Sequence, residues 1–82
     1  MLKLLQAKGY NGSDSIEEIL EWLFNKNIYI DLISTYDENG LNGYYAQCRV
    51  PPYQAIKTTG IYKTKKDALE LLIYDLKEYI KC

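Results

Sequence analysis

The sequence predicts an α+β fold in the order αβββα: a three-stranded antiparallel sheet with two helices packed on one face. Three observations lead there. Two runs, "SIEEILEWLF" and "KKDALELLIYDL", repeat apolar residues at helical spacing. Between them "NIYIDLISTY" and "YYAQCRV" alternate with a period of two. The segment joining those two runs, "DENGLNG", holds two Asn-Gly pairs, a strong hairpin signal. The 82 residues then read as a single domain. Residues 1–12 form a leading helical turn and loop, 15–26 a helix, 27–62 the sheet and 64–80 the last helix.

The leading "MLKLLQAKGY" is expected to form one or two helical turns, stopped by Gly9. "NGSDS" has the chemistry of a loop. Ser15 followed by Glu18 fits a capping box, with Asp14 and Glu17 as the alternative frame, so a helix starts near Ile16. Ile16, Ile19, Leu20, Leu23 and Phe24 define its apolar face. Glu17, Glu18 and Glu21 lie largely elsewhere, and the first two suit the positive helix end. At about 100° per residue, Trp22 falls at the margin of that face and is expected half covered.

In the first strand Ile28, Ile30 and Leu32 point one way and Tyr29, Asp31 and Ile33 the other. In the return strand Tyr44, Ala46, Cys48 and Val50 share one face, and Tyr45, Gln47 and Arg49 the opposite one. Pro51 and Pro52 end it, because proline cannot donate to a ladder. "YQAIKTTGIY" is a third, weaker strand in which Gly60 marks a bulge or bend. Thr64 with Asp67 opens the last helix. Leu69, Leu72, Ile73, Leu76 and Ile80 form its core stripe, with Ala68 beside it. Leu71 and Tyr74 fall outside the stripe and are expected under the leading element, which must bury Leu2 and Leu5.

Composition excludes more than it proposes. Hydrophobic residues at 48% and charged ones at 26% argue against disorder. A net charge of −1 counts against a dedicated nucleic-acid binder, which is usually strongly basic. There is no histidine, so the commonest general base and metal ligand is missing. Serine, threonine and cysteine nucleophiles have no such base to activate them. Asp31, Asp37 and Glu38 are the only acids that suggest paired carboxylates, and the latter two suit a turn. The acids are scattered and no glycine-rich phosphate loop is present, so no enzyme, cofactor or metal site is expected. Two cysteines, Cys48 and Cys82, make no disulfide framework, and Cys48 reads as a small core residue. The apolar runs are too short for a signal peptide or a membrane span. A cytoplasmic protein is the expectation.

The strand-and-helix order is similar to that of the double-stranded RNA-binding domain. That family opens its last helix with a Ser or Thr and a Lys-Lys pair aimed at phosphates, positions that Thr64, Lys65 and Lys66 match here. The resemblance implies an anion site, where free helix N–H groups and two ammonium groups converge. The chain departs from the pattern elsewhere. A further lysine of the family is Leu69 here, the hairpin loop carries two acids and no base, and the first helix carries Glu17, Glu18 and Glu21. Over nearly its whole length the sequence also resembles small uncharacterised proteins encoded by gut bacteria and their phages. The shared elements are Leu4, Leu5, Lys8, Gly9 and Tyr10, then Trp22 and Leu23, then Tyr62, Thr64, Asp67, Ala68 and Leu69. That resemblance implies no activity; it suggests an accessory protein of a phage or mobile element that binds a host protein.

Two surfaces are candidates for function. The first is the sheet face away from the helices, in a chain with nine tyrosines. Tyr29, Ile33, Tyr45, Gln47 and Arg49 are its contact candidates, and Tyr and Arg are enriched at binding hot spots. A protein partner or self-association through this face is the leading expectation. The alternative is a weak nucleic-acid binder using Lys57, Lys63, Lys65 and Lys66 around the start of the last helix. Two solvated lysines there cost only a few tenths of a kcal/mol each, so ordinary surface explains them as well.

Overall fold

The computed structural model describes residues 1–50 and 54–80. Three helices and three strands follow in the order α1 (Leu2–Ala7), α2 (Ile16–Phe24), β1 (Tyr29–Asp37), β2 (Gly40–Val50), β3 (Gln54–Thr58) and α3 (Lys65–Asp75). The strands form one antiparallel sheet in the order β1-β2-β3, so β2 is central and β1 and β3 are edges. This is the αβββα layout with one short helix in front. The role expected of Pro51 and Pro52 lies outside the described residues, as do Cys82 and the side chain of Val50.

The first two helices end with the same device. After α1 the chain passes through Gly9 at φ +102°, Gly9 N–H donates to Gln6 O and Tyr10 N–H to Leu5 O at 3.0 Å. After α2 it passes through Asn27 at φ +65°, Asn27 N–H donates to Phe24 O and Ile28 N–H to Leu23 O, both at 3.0 Å. These are Schellman turns, in which the residue after the left-handed one packs back on the helix. Leu5 with Tyr10, and Leu23 with Ile28, are all buried. α1 is too short to be stable alone; burial of Leu5, worth about 2 kcal/mol, helps hold it.

Tyr10 is a core residue that the sequence reading missed. Its ring meets Trp22 edge-on at 5.4 Å and its hydroxyl donates to Ser13 O at 2.5 Å. That bond holds the Ser13 peptide over the start of α2 and changes the cap. Ser15 occupies the N-cap position but makes no side-chain cap bond. Glu18 accepts from Ser13 N–H at 2.9 Å instead. The Ser15–Glu18 capping box is therefore replaced by a longer reach, and Asp14 is occupied elsewhere, in an ion pair with Lys66. At α3 the expectation holds: Thr64 Oγ1 accepts from Asp67 N–H at 3.0 Å.

The hairpin also departs from the simplest reading. Asp37 pairs with Gly40 across a two-residue turn, and Asp37 Oδ1 accepts from Asn39 N–H at 2.8 Å. Gly40 takes φ +112°, which suits glycine. The second Asn-Gly pair is not part of the turn. The register runs Thr35–Gly43 and then Tyr36–Leu41, leaving Asn42 as the extra residue of a bulge. β2 thus begins at Gly40, four residues before the expected start.

β3 breaks register once beside Arg49 and ends at Thr58. Thr59 then completes the ladder with its side chain: its N–H donates to Ala46 O and its Oγ1 accepts from Ala46 N–H, both at 2.9 Å. Beyond Gly60 pairing resumes in a single bridge, Tyr44 with Tyr62. Gly43 lets that bridge close, because a Cβ there would lie 2.6 Å from Tyr62 O. The irregularity expected at Gly60 is thus a break in the edge strand.

Ile30 pairs with Cys48 and Leu32 with Ala46, which places these four residues on the helix side of the sheet. Ala46 and Cys48 are buried, as are Ala68, Leu69, Leu72 and Ile73 of α3. Regular helix ends at Asp75, short of the expected 80, yet Leu76 and Ile80 remain buried through a turn that follows. Phe24 does not join the core as its place in the helical stripe suggested. It is 58% exposed, because α2 ends there and its ring turns to Tyr29 at 5.0 Å. Leu71 and Tyr74 stay 41% and 46% exposed: Met1 reaches Glu70 and Tyr74, but α1 sends Leu5 into the core rather than covering this spot. Among the described residues no helix is long and apolar enough to cross a membrane.

Candidate functional site: the helix-free sheet face

Strand alternation and register bring the five contact candidates together. Tyr29 stands opposite Arg49, Asp31 opposite Gln47, and Ile33 opposite Tyr45, all on the face away from the helices. Arg49 Nε meets Asp31 Oδ2 at 3.3 Å, a diagonal pair between neighbouring strands. Both side chains are about half exposed, so the pair orients the arginine more than it stabilises the fold. Tyr29, Ile33, Tyr45 and Gln47 are half-buried. At one end Phe24 extends the patch. Phe24, Tyr29, Asp31 and Arg49 line a shallow depression of about 320 Å³.

Asp31 was expected on this face but not among its contact candidates, and Phe24 was expected in the core. The signal for Phe24 was its position: the last apolar residue of a helical stripe, followed at once by the polar "NKN" turn. A side chain there hangs past the end of the helix and reaches whatever follows the turn, here Tyr29.

The lysines do not form one cluster with free charges. Lys66 is paired with Asp14 across the gap between α3 and the loop before α2. Lys65 lies over the Tyr44 ring at 5.7 Å, a cation–π contact. Lys57 is exposed on β3 opposite Cys48, whereas Lys63 follows Tyr62, which pairs with Tyr44. Four residues of β2 separate those two positions, about 13 Å at strand rise. The pair at the helix start thus has structural partners, which answers the mild electrostatic cost of placing cations there.

The shifted titrations belong to structure. Burial pushes the Tyr10 phenol up, with Glu18 beside it adding to the effect. The Ser13 N–H bond holds the Glu18 carboxyl below its ordinary range. Burial pushes the Cys48 thiol up, away from the thiolate a nucleophile needs. Among the described residues no three His, Cys, Asp or Glu side chains gather as metal ligands would. No family model matches the chain, and no curated protein or solved structure matches it either.

Proposed function

We propose that this protein is a non-enzymatic interaction module that binds another protein through the helix-free sheet face. One observation carries the reading: Tyr29, Ile33, Tyr45 and Arg49 converge on a face that no helix among the described residues covers, with exposed Phe24 at its end. Tyrosine and arginine supply large contact area with a polar tip, the usual make-up of an interface centre. The Asp31 pair fixes the guanidinium in place before a partner arrives, which lowers the entropy lost on binding.

The test is capture of partners from a lysate of the native host, with wild type and Tyr45→Ala side by side, read by mass spectrometry and by absorbance at 260 and 280 nm. The expected result is one dominant protein lost in Tyr45→Ala and little affected by salt. Co-purifying nucleic acid that leaves steeply with salt, and that Lys65→Glu with Lys66→Glu abolishes, would replace this reading with the lysine one.

A further inference from the structure

Among the described residues the outer edge of β1 is unpaired. It runs nine residues, Tyr29–Asp37, and among the described residues no strand or side chain bonds its outward N–H and C=O groups. Beside it lies a trough between β1 and α2. Two adjoining depressions form it, of about 600 and 350 Å³, which share Leu20, Ile30 and Asp31. Ile16, Leu20, Phe24, Ile28, Ile30 and Leu32 give it an apolar lining. α2 runs antiparallel to β1, since Ile16 and Leu32 line one depression and Phe24 and Ile28 the other.

The charged groups along this trough are Glu17, Glu21, Asp31 and Lys65. Asp31 is paired with Arg49, which leaves two exposed glutamates on the helix wall and one lysine in the larger depression. Glu17 and Glu21 are one helical turn apart, about 6 Å along the axis. Alternate side chains of a strand are about 6.6 Å apart. A strand added to β1 therefore brings every second side chain into step with these two carboxylates. Those side chains must cross an apolar lining before reaching the acids, which is the task of a lysine or arginine stem with its charged head at the rim. Lys65 disfavours a third base in the same row.

From this match we propose that the β1 edge takes up an extended peptide as a fourth strand, one carrying two basic residues at alternate positions. This goes beyond the sheet-face reading above: it places a second docking line on the β1 edge and names the chemistry of what it takes. Main-chain bonds to the edge would give affinity and the trough would give sequence preference, as in other strand-addition complexes. A second copy of the chain suits the edge poorly: a two-fold seam along β1 would bring the glutamates of both α2 helices against each other.

The test is fluorescence anisotropy with an end-capped seven-residue peptide, Thr-Val-Lys-Val-Lys-Val-Thr, against its Glu-for-Lys counterpart. Two further versions carry N-methyl groups on the valines or on the lysines. The expected results are a preference of about tenfold for the lysine peptide, about fivefold weaker binding to the exposed-site variant Glu17→Gln/Glu21→Gln, and loss of binding in only one methylated version. Alternate N–H groups of a strand point to opposite edges, so only one set can face β1. Equal binding of the lysine and glutamate peptides, indifference to both methylations, or no binding would overturn the proposal. So would a stable dimer that the peptide does not dissociate. If the peptide fails while capture from lysate still depends on Tyr45, the edge proposal falls alone. If the peptide binds while capture ignores Tyr45, the sheet-face reading falls alone.

Discussion

The β3 edge is five residues long, Gln54–Thr58, with an exposed lysine at 57 and a register break beside Arg49. The β1 edge runs from Tyr29 to Asp37 with no lysine and no proline, and Asp31 is its one interior charge. Edge lysines and short edge strands are devices by which proteins stop a sheet edge from adding strands. Both ladders carry a register break, but the lysine and the short strand belong to the β3 edge, against nine residues in β1. The other edge is long, apolar and set beside a trough, so the sheet is finished on one side and able to accept a strand on the other.

The largest expected effect breaks the finished side. Gly43→Ala drives a Cβ into Tyr62 O and should cost about 2–3 kcal/mol in denaturant unfolding. The loss should fall on the Tyr44–Tyr62 closure, with faster amide exchange there than along β1–β2. A smaller loss follows from Thr59→Val, which keeps the shape and removes the oxygen that Ala46 N–H donates to. An orphaned buried donor should cost about 1–2 kcal/mol on the same assay.

A third prediction concerns the wall of the trough, which depends on how α2 starts. Glu18 has a folded value below its ordinary one, so its contribution is present above the ordinary value and disappears as pH falls through the folded one. Wild type should therefore exceed Glu18→Gln in thermal stability at neutral pH, and the gap should close below about pH 4.3. A gap that stays constant down to pH 2 would remove the Ser13 contact from the account.

The smallest effect on stability sharpens the comparison most. Ile33→Lys gives β1 the kind of guard that Lys57 gives β3. It should change unfolding free energy by no more than about 1 kcal/mol and yet abolish peptide uptake by anisotropy. An Ile33→Lys chain that still binds the lysine peptide with wild-type affinity would show that the edge is not the docking line.

Much of the fold was legible because its signals are local. Period-two alternation assigned the faces of β1 and β2, including all five contact candidates. Helical spacing found the core stripes of α2 and α3. The misses were the features decided by tertiary contact. Nothing near Ser15 reveals that Tyr10 holds Ser13 where Glu18 can reach it. The second Asn-Gly pair looks like a turn in sequence, but the first pair already closes the hairpin and the second becomes a bulge. Phe24 obeys the helical period and is still exposed, because the helix ends at that residue. The lysine pair gave a local signal for an anion site, whereas its partners, Asp14 and Tyr44, lie far away in sequence. The open edge was unreadable for the same reason: which strand is central depends on the packing of the whole sheet.

Amide hydrogen exchange along β1, followed by NMR with and without the lysine-valine peptide, decides whether this edge takes up a strand. Alternating behaviour is expected from Ile30 to Thr35 in the free protein. Amides facing β2 should be protected and those facing outward should exchange fast, and the outward set alone should become protected when peptide is added. Uniform protection of β1 in the free protein, or an outward set that the peptide leaves unchanged, would contradict strand uptake at this edge.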